Sequence, residues 1–117
     1  MKLYGVRIWV TDLEAAKRFY GETLGLKKEW EYEGAAVGFD MGGPQVIVEL
    51  DGGSQDGEDS HVGRFLGVSI HVSDIDATYR DLSAKGVEFL GAPEKIYWGG
   101  TLAHFKDPSG NTLTLLG

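Results

Sequence analysis

No cysteine occurs among the 117 residues, so the chain can have no disulfide, no thiolate nucleophile and no cysteine-ligated zinc. Any metal would have to be held by His, Asp or Glu, and only three His are present. No apolar run approaches the roughly 20 residues that a membrane span needs. The opening MKLYGVRIWV enters a strand pattern at once, without the apolar stretch and small-residue cleavage site of a secretory signal. A cytoplasmic protein that does not cross a bilayer is the expectation. Basic residues are also scarce, eleven against eighteen acids, for a net charge of −7, and no basic stripe interrupts that field. Nucleic acid is therefore not an expected partner. The same field suits a cationic ligand, and it also serves solubility alone. A Ser-His-Asp order, a phosphate-cradling glycine loop and a dinucleotide fingerprint are all missing; GGPQV falls between two strands rather than between a strand and a helix.

What is present is a repeat. GVRIWVTDLEAA begins at Gly5, and GVSIHVSDIDAT begins at Gly67, 62 residues later. Val6, Ile8 and Val10, like Val68, Ile70 and Val72, alternate with other residues at a period of two, which places the aliphatic side chains on one face of a strand. Thr11-Asp12-Leu13-Glu14 and Ser73-Asp74-Ile75-Asp76 then offer side-chain oxygens to the open N–H groups of a helix start. Ala16, Phe19, Tyr20 and Leu24 form the buried stripe of the first helix, and Ile75, Tyr79 and Leu82 that of the second. Gly25 and Gly86 stand where a left-handed C-cap belongs. Each copy ends in a hairpin, VGFDMGGPQVIVEL or AHFKDPSGNTLTLL. The spacing predicts an α+β chain of two βαβββ modules, about 1–50 and 64–117, forming one domain with a curved mixed sheet around a cleft. The acidic, glycine-rich residues 51–63 between them read as a linker or lid.

With VTDLEAAKRFYGETLGL, VSDIDATYRDLSAKGVEF and HFKDPSGNTLTL in this order, the whole chain resembles the vicinal oxygen chelate superfamily. That group includes glyoxalase I, the extradiol dioxygenases, fosfomycin-resistance proteins and bleomycin-resistance proteins. The resemblance implies a divalent metal on the concave sheet face, held by one residue from each first strand and one from each last strand. Carried over by position, those ligands fall on Gly5, on Gly67, on Thr114, and on either Ile47 or Glu49. Two glycines and a hydroxyl are poor donors, so the chelate is expected to be absent and no cofactor is implied. The bleomycin-resistance type uses the same cleft to sequester a ligand without a metal.

Alternation assigns to the cleft Arg7, Trp9, Gln45, Ile47, Glu49, Ser69, His71, Leu102, His104, Thr112 and Thr114, with Trp98 entering from the YWGG loop. Trp9 and Trp98 either stack on a planar ligand or pack at a subunit interface. Glu49 either meets a cation or acts as an acid or base, or else is salt-bridged to Arg7. His71 and His104 either act on a ligand or satisfy a neighbour, and His104 should lie across the last hairpin from Thr114. Trp30 and Tyr32, in KKEWEYEG, read as an edge or dimer contact. The expected function is a metal-free protein that sequesters or carries a small cationic or aromatic molecule, as a homodimer. The alternatives are a metal-dependent lyase or oxygenase with ligands relocated to Glu49, His71 and His104, and a metal-free acid–base enzyme using Glu49 or His71.

Overall fold

The strand-and-helix phrase written twice in the sequence folds twice. The computed structural model describes residues 1–51 and 60–117, so most of the expected linker or lid, 52–59, lies outside the described residues. The chain falls into two compact units, Met1–Gly63 and Arg64–Gly117.

In the first unit, β1 (Gly5–Val10) leads into α1 (Leu13–Arg18), a π-helical turn (Phe19–Thr23), β2 (Lys27–Tyr32), β3 (Ala36–Asp40) and β4 (Gln45–Leu50). The sheet order is β1-β4-β3-β2, with β1 parallel to β4 and the other pairs antiparallel. Asp12 caps α1, its carboxylate accepting from the Ala15 N–H at 3.0 Å. The helix then widens: the Leu24 N–H donates to the Phe19 carbonyl, five residues back, at 2.8 Å. Phe19 and Tyr20, adjacent in sequence, are both buried by this turn, and the Tyr20 ring lies 6.2 Å from that of Phe39. Leu24, expected in the buried stripe, is only half-buried. Ile8, Val10, Val37, Val46 and Val48 complete this core.

The second unit runs β5 (Phe65–His71), α2 (Ile75–Ala84), β6 (Glu88–Phe89), β7 (Glu94–Lys95), β8 (Thr101–Lys106) and β9 (Thr112–Leu116). Its order is β5-β9-β8-β6, with β7 also on β8 and β5 parallel to β9. Asp74 caps α2 as Asp12 caps α1. Where a single strand was expected after the helix there are two fragments of two residues each. Between them stands Leu90-Gly91-Ala92-Pro93, and Pro93 has no N–H to give a ladder. Tyr79 of α2 meets Phe89 of β6 edge-on at 4.7 Å, and Phe89 meets Phe105 of β8 at 5.7 Å. Among the described residues no helix is long and apolar enough to cross a membrane.

A charge relay ties α1 to β2. Lys17 Nζ donates to Glu31 Oε2 at 2.8 Å and to Glu14 at 3.3 Å, while Lys28 Nζ donates to Glu31 Oε1 at 2.9 Å. The hydrogen bond from Lys17, then that from Lys28, holds the Glu31 carboxyl below its ordinary range, and the bond to Glu31 raises Lys17. A lowered carboxyl contributes stability above its unfolded pKa and loses it as pH falls through the folded value. A raised lysine contributes below its unfolded pKa and loses it as pH rises through the folded value. Thermal melts should therefore fall more steeply on acidification below the carboxylate range for the wild type than for Glu31→Gln, and the two acid limbs should converge once Glu31 is protonated.

Candidate functional site

In the first unit, β1 and β4 lie side by side in register, Gly5 beside Gln45, Arg7 beside Ile47 and Trp9 beside Glu49. Arg7 and Glu49 form a two-point ion pair: Nε donates to Oε1, and Nη2 donates to Oε2 at 3.1 Å. That hydrogen bond raises the pKa of Arg7. The guanidinium also stands 5.0 Å from the centre of the Trp9 ring, which lies 5.7 Å from the ring of His61 as well. Of the roles open to Glu49 in the sequence, the structure holds it in the ion pair.

Trp30 occupies the other side of this face. Its indole lies over Gly38, and Nε1 donates to Gln45 Oε1 at 2.8 Å, while Gln45 Nε2 donates to Glu29 at 2.9 Å. Trp30 and Tyr32 both lie on β2, an edge of its sheet as expected; Tyr32 is exposed, while the Trp30 indole lies half-buried against the sheet face. The cause is a bulge between Lys28 and Trp30, which re-aims the indole. Alternation alone carries no sign of that bulge; the glycine opposite was the available signal. A Cβ at Gly38 would overlap the indole. Gly38→Ala should expel Trp30 from its shelf and break the bond to Gln45, read as a red shift in tryptophan emission that Trp30→Phe abolishes.

In the second unit Ser69 pairs with Thr114 and His71 with Leu116, and both Ser69 and His71 are exposed. His104 faces Thr114 across the hairpin, and its Nδ1 shares a 2.8 Å hydrogen bond with the Thr114 hydroxyl. The ring of Phe65 stands edge-on to His104 at 5.4 Å. Leu102 and His104 help line a cavity of about 150 Å³ with Leu90, Ala92, Glu94 and Ile96. Trp98 is exposed at the β7–β8 turn, its ring lying on Gly100. Ile47, Thr112 and Thr114 are buried, so a ligand would reach them only after neighbouring side chains move.

The relocated metal set is not assembled. His71 on β5 and His104 on β8 flank β9, which places them about 10 Å apart across the strands before any offset along them. Among the described residues no three His, Asp or Glu side chains gather. The positions implied by the resemblance do not fit an ion either. A Cβ at Gly5 would stand 2.6 Å from the Gln45 carbonyl oxygen, so no side chain can project there. Gly67 has φ +69° within the irregular stretch of β5, Thr114 is bonded to His104, and Glu49 is held by Arg7.

A family model described as Glyoxalase/Bleomycin resistance protein/Dioxygenase superfamily matches residues 3–115. The chain is 33% identical to YraH of Bacillus subtilis (strain 168), an uncharacterized protein, over 98% of this chain and 97% of that one. It is similar, at 33% identity and a TM-score of 0.80, to the structure of a member of that superfamily from Sphaerobacter thermophilus, with 99% and 96% of the two chains covered. A lactoylglutathione lyase from Agrobacterium tumefaciens shares the fold at a TM-score of 0.82 and 18% identity, over 98% and 92%.

Proposed function

Because this chain belongs to the Glyoxalase/Bleomycin resistance protein/Dioxygenase superfamily, we propose that it uses that fold as a metal-free binding protein, sequestering or carrying a small cationic or aromatic molecule. One observation carries the reading: the ligand positions implied by the family are engaged otherwise, Gly5 closed by the Gln45 carbonyl, Thr114 bonded to His104 and Glu49 paired with Arg7. The contacts proposed in the first unit are Trp9, Gln45 and Glu49 around Arg7, and in the second Ser69, His71, Trp98, Leu102 and His104, with the buried Ile47, Thr112 and Thr114 meeting a ligand only once their neighbours move. Aromatic surface beside carboxylate favours positive, flat molecules over anions. The proposal includes a cytoplasmic homodimer, supported by the place of β2 at the end of its sheet among the described residues and by the exposed Tyr32 upon it.

The experiment combines elemental analysis with ligand titration on one preparation whose mass is set by light scattering. Substoichiometric Zn, Mn, Ni and Fe, and saturable quenching of tryptophan emission by cationic aromatic compounds that chelation leaves unchanged, are the expected results. One tightly held ion per chain, with a turnover that chelation abolishes, would overturn the reading, as would tighter binding of anions.

A further inference from the structure

Arg7, Trp9 and Glu49 together have the composition of a cation-binding site whose cation is supplied by the chain itself. Guanidinium on carboxylate at two points, with an aromatic face 5.0 Å away, is the chemistry that recognises any planar cation bearing paired N–H groups. We propose that Trp9 and Glu49 are a recognition site for a guanidinium, amidinium or similar planar cation, and that Arg7 is its intramolecular guest, which the ligand displaces. The inference rests on the binding-protein reading and names its ligand class.

Exposure tells host from guest. The Glu49 side chain is 21% exposed and that of Arg7 59% exposed, so the carboxylate is the sheltered partner and the guanidinium the one already half in water. When a cationic ligand takes the place of Arg7, two N–H donors replace two others on the same oxygens, and Arg7 swings into solvent that already reaches it. Charge and hydrogen bonds are conserved, and the Trp9 face exchanges one cation for another. An anion has no such route. Drawing Arg7 away would leave the sheltered Glu49 without its cation, and the anion would approach a chain of net charge −7 with Glu49 beside it. Arg7 thus acts as a built-in competitor: if it holds the site nine-tenths of the time, the ligand's apparent affinity falls about tenfold.

Benzamidinium, an amidinium on a phenyl ring, is the probe. Calorimetric titration should show Arg7→Met binding it about tenfold more tightly than the wild type, and Glu49→Gln in the Arg7→Met background should remove that gain. Equal affinity in wild type and Arg7→Met overturns the proposal, as does a gain that survives Glu49→Gln. Should Arg7→Met fail to fold, the wild type decides. The Arg7 Nε–H resonance, set by its bond to Glu49, should move as benzamidinium is added, and an unmoved resonance at the highest soluble concentration overturns the exchange. A chain that binds another small molecule without metal, yet gives these negative results, keeps the functional reading and loses this one. A chain found to need a metal for turnover loses the functional reading, while the exchange at Arg7 is still read directly from the resonance.

Discussion

Phe105→Ala should lower the stability of the folded chain by about 3–5 kcal/mol, the range for removing a buried aromatic ring that its neighbours cannot replace. The ring is fully buried, one residue before the end of β8. Across the ladders it pairs with Phe89 on one side and Leu113 on the other, and Phe89 in turn holds Tyr79 of α2. The cavity would therefore open where helix and sheet meet, among strands whose hydrogen bonds resist collapse. Urea titration followed by far-UV circular dichroism would measure the loss as a lower midpoint at unchanged slope. Phe105→Leu, which keeps most of the volume, should lose much less. Equal losses would mean that the site tolerates a void and that this packing is misread.

Asn111→Ala should cost about 1–3 kcal/mol, toward the upper end because the partner it abandons is a buried carboxylate. Asn111 is fully buried, and Asp107 nearly so. Asp107 Oδ1 accepts from the N–H groups of Ser109 and Asn111 at 2.9 Å, and Oδ2 accepts from Asn111 Nδ2 at 3.0 Å. The Asn111 side-chain oxygen also faces the Arg64 N–H at 3.4 Å, which ties the β8–β9 turn to the start of β5. Alanine leaves the turn its backbone bonds but takes the side-chain donor from Oδ2. Urea denaturation of the wild type and Asn111→Ala side by side would measure the loss.

Much of this architecture is legible in the residues, and for stated reasons. The caps at Asp12 and Asp74, the period-two strands and the closing hairpins each depend on neighbours within a few positions, which a linear reading can see. The π-helical turn is not legible, because moving one carbonyl's partner from four residues to five leaves no residue type behind as its mark. The break between β6 and β7 had a visible cause in Gly91 and Pro93, but that cause reads equally well as a turn. The candidate site follows the same division. Arg7 beside Glu49 follows from strand alternation once β1 and β4 are paired. Trp30 over Gly38 does not, because it depends on a bulge, and a shift of one residue reverses the face to which a side chain belongs. Burial of Thr112 and Thr114 was likewise out of reach, since alternation names a face without saying how much of it stays open.

The close approach of Gly5 to Gln45 bears on what this chain can become. A single-nucleotide change at a glycine codon can introduce aspartate or glutamate, and in a loop either would be an ordinary trial. At position 5 every replacement with a Cβ meets the carbonyl across the strand pair before its chemistry matters. At position 67 the backbone itself, at φ +69°, disfavours anything larger than glycine. Recovering a chelating residue in either first strand therefore takes rearrangement of main-chain pairing together with the substitution, a double step that selection cannot reward halfway. Mutational libraries confined to side chains should return new ligand preferences from this scaffold far more readily than a new metalloenzyme.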